Sequence, residues 1–251
     1  MNTHRILRNA CLACLAATAM FHGGQAQASI ALSGTRMILQ EKRQEATIVV
    51  RNSDTPVLVQ TWLETHSAGD ADDLPFAVTP PLARMPANGQ QLLRVMYAGG
   101  DNALPAGRES VMWLNVQEVP QAVPGENQLQ IAVRQRIKVF FRPTGLSGIA
   151  ADAPAAVRWS AQGNAKGALL TLSNPTAYHV SFSELADAAG RELPSPGMLA
   201  PGQTLTLQVD GIAADAALAF KTINDYGGAD AYRLRLSGAT EVGGTAESAA
   251  R

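Results

Sequence analysis

The chain has 251 residues, of which 46% are hydrophobic and 16% are charged, and its formal charge at pH 7 is −1. This size and apolar content are enough for two domains with buried cores. The near balance of 20 basic and 21 acidic residues argues against a nucleic-acid-binding protein.

Residues 1–28 have the pattern of a secretory signal peptide. Arg5 and Arg8 precede an apolar run over residues 10–21, and the small-residue sequence AQA then ends at Ala28. The apolar run is too short for an ordinary transmembrane helix, and no later segment approaches the ~20 residues that one needs. The sequence therefore predicts an exported, soluble protein that is cleaved near Ala28.

Both cysteines, Cys11 and Cys14, lie within this predicted signal peptide. The mature protein of about 223 residues is therefore expected to have no disulfide and to depend on its hydrophobic cores. Loss of Arg5 and Arg8 leaves 18 basic and 21 acidic residues, a formal charge of −3. A lipoprotein anchor at Cys14 stays open as an alternative.

Short alternating apolar runs that end in turn residues recur through the first half of the mature chain. Helical periodicity is nearly absent from it. The pattern predicts an all-β sandwich. The runs are ATIVVRNSD (46–54), VLVQTWLETH (57–66), QQLLRVMYAGG (90–100) and SVMWLNVQEVP (110–120).

The segment Leu129–Pro143, LQIAVRQRIKVFFRP, is predicted to be a long strand that is both apolar and cationic. A loop rich in Pro, Gly and Asn precedes it over residues 119–128, so the strand is expected at an exposed or edge position. Exposed apolar edges normally aggregate, so this one is expected to bind a partner. From alternation alone, the core face of an interior strand is the more usual interpretation of these apolar positions.

A second series of alternating runs follows a segment, residues 145–156, that has the small-residue and proline content of a linker. The series is ALLTLSNPT, YHVSFSEL, TLTLQVDG and YRLRLSG. We therefore predict two domains, at 29–145 and 155–238. Residues 239–251 have no apolar pattern and are predicted to be a disordered tail.

The segment Leu104–Pro120, LPAGRESVMWLNVQEVP, resembles a signature of the PapD-like periplasmic chaperones of the chaperone–usher pilus pathway. Gly107 departs from the Asp, Asn or Ser that is usual there, a change that a turn tolerates. The resemblance spans essentially the whole mature chain. Other matching pieces occur in order: GTR (34–36), QTW (60–62), TPPLARMPANG (79–89), IKVFFRP (137–143), NPTAYHV (174–180) and INDYGG (223–228).

The resemblance implies two immunoglobulin-like sandwiches set at an angle, with a cleft between them. It implies a periplasmic chaperone that captures pilus subunits and delivers them to an outer-membrane usher, without a cofactor or a small-molecule substrate. Strand addition, for which pilin donor-strand complementation is a known example, would complete a subunit that lacks its last strand. A free chaperone that caps its own strand by forming an oligomer stays open.

By the same resemblance, the donor strand presents Leu129, Ile131 and Val133. The cations Arg36 and Lys138 match the pair that anchors the C-terminal carboxylate of the subunit. Both could instead be solvated strand charges, as is usual for Arg and Lys.

Lys138 has the opposite parity to the apolar donor positions, and the sequence alone does not choose between it, Arg134 and Arg136 for the cleft. Glu109, Arg142 and Asp225 match a charged set that joins the two domains in the family.

Enzyme and metal sites have little support. Only His66 and His179 remain in the predicted mature chain, with no cysteine, no nucleophile motif and no phosphate-binding loop. The rival function is an exported adhesin or carbohydrate-binding module. The low aromatic content, 5%, argues against the rival because flat aromatic rings usually supply the stacking platforms for sugars.

Overall fold

The computed structural model describes residues 30–53, 55–65, 74–100, 104–120 and 131–247. Strands dominate these residues and form four sheets, which pack in pairs around two separate hydrophobic cores. The predicted all-β class with two sandwich domains is therefore confirmed. Within the described ranges no helix is long and apolar enough to cross a membrane.

The N-terminal sandwich consists of a four-stranded and a five-stranded sheet. Its strands are β1 (Ile30–Leu32), β2 (Arg36–Gln40), β3 (Glu45–Asn52), β4 (Val57–Glu64), β5 (Phe76–Thr79), β6 (Leu82–Met85), β7 (Gln90–Tyr97), β8 (Ser110–Pro120) and β9 (Arg134–Arg142). The five-stranded sheet has the order β2-β9-β8-β4-β6, and the four-stranded sheet has the order β1-β3-β7-β5. A 3₁₀ turn, Glu41–Arg43, joins β2 to β3.

Apolar side chains at alternate positions of the strands form the core of the N-terminal sandwich. In β9 the side chains of Ile137, Val139 and Phe141 point inward and are buried, as the two-residue period requires. They meet inward residues of the facing sheet such as Val50 and Leu93, which are fully buried. Burial of each such side chain contributes about 1.5–3 kcal/mol.

The C-terminal sandwich begins with a 3₁₀ turn, Ala150–Asp152, and a short helix, α1 (Ala153–Ala156). Its sheets have the orders β10-β11-β14 and β13-β12-β15-β16-β17. Trp159, Phe182 and Phe220 pack at its centre in edge-to-face and tilted arrangements, with ring centroids 5.3–5.8 Å apart. The strands are β10 (Arg158–Asn164), β11 (Gly167–Ser173), β12 (Val180–Asp187), β13 (Met198–Leu199), β14 (Thr204–Asp210), β15 (Ala217–Ile223), β16 (Ala229–Arg235) and β17 (Thr245–Ala246).

Two segments differ from the prediction. Residues 150–156, expected to be linker, form the 3₁₀ turn and α1, and Ala153 is buried in the C-terminal core. Residues 239–247, expected to be disordered, are ordered: β17 pairs with β16, and Val242 exchanges backbone hydrogen bonds with Trp159. Backbone pairing requires no apolar pattern, so the sequence did not predict this C-terminal strap, residues 239–247.

Ending the chain at Gly238 is expected to lower the free energy of unfolding by about 2–3 kcal/mol. The cut removes two hydrogen bonds between Val242 and Trp159 at 2.8 and 2.9 Å, and the pairing of β17. Each hydrogen bond contributes about 0.5–1.5 kcal/mol. Urea unfolding measures the loss, and a chain that ends at Glu247 is the control. Equal stability of the two truncated proteins would contradict a structural role for the strap.

Candidate functional site

A cavity of about 260 Å³ lies between the two domains. Arg36 and Phe140 line it from the N-terminal domain, and Ser181, Ile223 and Asp225 line it from the C-terminal domain. The two domains approach closely beside it: a Cβ on Gly227 would lie 2.7 Å from Thr35 Oγ1. The φ of Gly227 is +85°, a conformation that favours glycine.

Arg36 and Lys138 lie side by side. They are directly paired in the parallel ladder between β2 and β9, which places both side chains on the same face of the sheet. Arg36 Nη1 donates to the Ile223 carbonyl oxygen at 2.8 Å, and Lys138 Nζ lies 3.5 Å from Ser181 Oγ. Both partners belong to the C-terminal domain, so the two cations face the cleft.

Arg36 and Lys138 are half-buried cations. Burial lowers the pKa of Arg36, and burial together with the charge of Arg36 lowers the pKa of Lys138. Neither forms a salt bridge within the described residues, and Arg36 Nε is buried there without a hydrogen-bond partner. An unpartnered buried donor is costly, so the pair is suited to bind an anion.

Arg136 lies elsewhere, although sequence parity did not separate it from Lys138. Its guanidinium is stacked 4.3 Å from the ring centre of Trp113 and lies 3.5 Å from Glu64. Both of those partners belong to the N-terminal domain. The geometry therefore gives the cleft position to Lys138.

Arg142 is in direct contact with both Glu109 and Asp225. Arg142 Nε donates to Glu109 Oε1 at 2.7 Å, and its two Nη atoms donate to the carboxylate of Asp225 at 2.6 and 2.7 Å. Burial opposes the charge on Arg142, but these hydrogen bonds and carboxylates raise its pKa above the ordinary value. The bidentate pair with Asp225 crosses from one domain to the other.

His179 also belongs to this network, although the sequence alone predicts no special role for it. Its backbone N–H donates to Glu109 Oε2 at 2.8 Å, and its Nδ1 lies 2.9 Å from the same oxygen. The side chains of His179 and Glu109 are only 5% and 1% exposed. No sequence signal links the two, because they are 70 positions apart.

β9 has one open edge. It pairs with β8 from Arg134 to Phe141, but it pairs with β2 only from Lys138 onward. No described strand pairs with Arg134–Ile137 on that second side. Glu118 N–H donates to the Val133 carbonyl, so the Val133 backbone points toward β8. Successive residues of a strand direct their backbone N–H and C=O groups to opposite sides, so those of Arg134 and Arg136 point toward the open edge.

The predicted donor positions lie at the start of this edge. Ile131 is 65% exposed and Val133 is half-buried. Both share the parity of Ile137, which enters the core. Leu129 lies outside the described residues. β9 itself begins at Arg134, later than the strand predicted from Leu129. No group of His, Cys, Asp and Glu suited to a metal ion occurs in the described ranges.

Two family models match the chain. Residues 29–147 match "Pili and flagellar-assembly chaperone, PapD N-terminal domain", and residues 152–234 match "Pili assembly chaperone PapD, C-terminal domain". Together the two models span nearly all of the chain after the predicted signal peptide.

Proteins of similar sequence are described as chaperones. The probable fimbrial chaperone YadV of Escherichia coli K12 is 37% identical over 233 residues, which are 87% of this chain and 94% of YadV. The Bordetella pertussis chaperone FimB/FhaD is 35% identical, over 84% of this chain and 90% of its own.

Solved structures share the architecture. The YadV crystal structure matches with a TM-score of 0.71 and 39% identity, over 83% of this chain and all of that one. The SafB chaperone, solved in complex with the Salmonella enterica pilin SafA, matches with a TM-score of 0.73 and 28% identity, over 85% of this chain and 99% of that one. The chain therefore belongs to the PapD-like family of pilus assembly chaperones.

Proposed function

We propose that this protein captures pilus subunits by lending them the open edge of β9 as a missing strand. The observation that carries the proposal is an edge whose backbone groups at Arg134 and Arg136 pair with no described strand, and which begins at the exposed Ile131. A subunit that lacks its last strand has the complementary defect, an apolar groove and an unpaired ladder. The pilin complex of the structural neighbour SafB supports this choice of partner.

Ile131 and Val133, with Leu129 outside the described residues, are the apolar plugs of the proposed complex. Each plug that becomes fully buried contributes about 1.5–3 kcal/mol through removal of apolar surface from water. Backbone hydrogen bonds along the edge then set the register, because a slip of one residue would turn the plugs outward.

The anchor sets the direction of the added strand. The open edge ends where β2 begins, at the ladder pair of Arg36 and Lys138. A subunit strand that runs parallel to β9 would bring its C-terminal carboxylate to these two cations. An antiparallel strand would bring a positive amino group or an interior residue instead. The charges therefore favour parallel addition with the carboxylate bound between Arg36 and Lys138.

The network of Glu109, Arg142 and Asp225, with His179, is proposed to hold the angle between the domains. This angle determines whether Arg36 and Lys138 can face one carboxylate together. The predicted signal peptide and the family support the periplasm as the site of action and an outer-membrane usher as the acceptor of the captured subunit.

Replacing Ile131 with aspartate is expected to weaken capture by at least about tenfold. The change removes an apolar plug and would bury a carboxylate, while the free protein loses nothing because Ile131 is 65% exposed. The measurement is recovery of a one-to-one complex after co-expression with subunits from the same gene cluster. Ile149→Asp is the matched control, since Ile149 is 60% exposed on the C-terminal domain. An undiminished Ile131→Asp complex would show that another surface lends the strand.

A further inference from the structure

Three cations lie in a row on the face of the five-stranded sheet that points away from the core. They are Arg134, Arg136 and Lys138, at alternate positions of β9 and about 7 Å apart. We call this surface, with Trp62 and Trp113 beneath it, the cationic face. Lys138 belongs to the proposed anchor, but the side chains of Arg134 and Arg136 have no part in the function proposed above.

The cations make cation–π contacts with the indole rings. Arg134 lies 6.0 Å from the ring centre of Trp62, and Arg136 and Lys138 lie 4.3 and 5.6 Å from that of Trp113. Such contacts restrict long side chains before any partner arrives. A partner that binds them therefore loses less conformational entropy than it would with free arginines.

The face has an excess of positive charge. Its one described carboxylate is Glu64, which accepts a hydrogen bond from Trp62 Nε1 at 2.8 Å and lies 3.5 Å from Arg136. The Arg136 side chain stays 40% exposed in spite of this pair. Three cations and one carboxylate leave a net charge of about +2, on a predicted mature chain whose net charge is −3. The remaining ladder partners on this face of β4 and β8 are neutral, namely Gln60, Asn115 and Gln117.

We infer that the cationic face selects among subunits by the acidic side chains of their last strand. This inference rests on the proposed function. A strand added beside Arg134–Ile137 extends the same sheet, so its alternate side chains emerge on the same face as Arg134 and Arg136. Side chains at directly opposite positions of neighbouring strands lie about 5 Å apart. Two Asp or Glu residues, two positions apart, would each meet a guanidinium, while the intervening residues stay apolar.

The face is continuous with both parts of the proposed subunit interface. Lys138 joins it to the carboxylate anchor, and the backbone of Arg134 and Arg136 forms the open edge itself. The same two residues thus offer their peptide groups to any subunit strand and their side chains to an acidic one. Backbone pairing allows capture of any subunit strand, and the guanidinium groups favour subunits whose last strand carries acidic side chains.

The test uses two synthetic peptides of about 12 residues with alternating apolar residues and a free C-terminal carboxylate. One has Glu at two outward positions near its C-terminus and the other has Gln there. Binding to the intact protein is measured at low and high salt by fluorescence anisotropy, for the wild type, Arg134→Gln/Arg136→Gln and the control Arg84→Gln. Arg84 is exposed on β6, at the far edge of the same sheet.

The wild type and Arg84→Gln are expected to prefer the Glu peptide by about tenfold at low salt and less at high salt. The double variant should bind both peptides equally, at the wild-type affinity for the Gln peptide. A preference that survives in the double variant, or no preference in the wild type, would overturn the inference while capture stands. If neither peptide binds the wild type, strand addition at this edge is itself contradicted.

Discussion

Replacement of Lys138 with alanine is expected to raise the dissociation constant of a captured subunit about a hundredfold without unfolding the protein. An ammonium that binds a carboxylate in a partly desolvated cleft contributes about 1.5–3 kcal/mol, and 1.4 kcal/mol corresponds to a factor of ten. Among the described residues the Lys138 ammonium makes only weak contacts, at 3.5 Å to Ser181 Oγ and at 5.6 Å to the ring centre of Trp113, so its loss costs the fold little. Titration of the refolding subunit with each variant measures the effect.

Arg36→Ala is expected to impair capture as strongly, but it also removes the interdomain hydrogen bond to Ile223. Lys138→Ala is therefore the cleaner variant, and Lys166→Ala, an exposed lysine far from the cleft, is the control. A folded Lys138→Ala protein that captures subunits as tightly as the wild type would refute the anchor.

The anchor also predicts a direction of pH dependence. Burial and the charge of Arg36 lower the pKa of Lys138, whereas a bound carboxylate would raise it again. Capture should therefore weaken as the pH rises through the lowered pKa of the free protein, because the ammonium is then lost before binding. Lys138→Ala should lack this part of the pH profile.

Replacement of Glu109 with alanine is expected to reduce the free energy of unfolding by about 3–5 kcal/mol. Glu109 is 1% exposed and accepts hydrogen bonds from Arg142 and from the backbone of His179. Its removal leaves buried donors unpaired, which is the costly way to break a buried ion pair. The loss would also loosen the domain angle, since Arg142 is the residue that reaches Asp225.

Denaturant unfolding measures the stability of the Glu109 variant, and small-angle X-ray scattering measures the spread of domain angles. Glu184→Ala breaks an exposed pair with Lys221 whose side chains are 43% and 46% exposed, so it should cost less than about 1 kcal/mol. Glu109→Gln retains an acceptor and should lie between the two. Equal losses for Glu109→Ala and Glu184→Ala would mean that the network does not join the domains.

Alternation predicted the strands well because burial on one face of a sheet imposes a two-residue period on the sequence. It did not predict which strand edge stays open, since the side chains of Arg134–Ile137 say nothing about whether β2 reaches them. The open edge follows from where β2 begins, at Arg36, and that boundary is set by the change of the chain from one sheet to the other.

The charged site shows the other limit of sequence reasoning. Arg142 meets Glu109 over 33 positions and Asp225 over 83, so only the family resemblance connected them. No metal-spaced partner accompanies His179 in the sequence, so the sequence predicts no role for it. Its partner is a carboxylate that the fold brings from the other domain.

Hydrogen exchange at the open edge of β9 tests the central claim most directly. The backbone N–H groups of Arg134 and Arg136 point away from β8 and lie on the edge that is proposed to accept the subunit strand. The account predicts that these two amides exchange fast in the free monomer and become strongly protected in the subunit complex, while the amides of Phe140 and Arg142, which point toward β2, change little. Fast exchange at Arg134 and Arg136 in a stable complex would contradict strand addition to this edge.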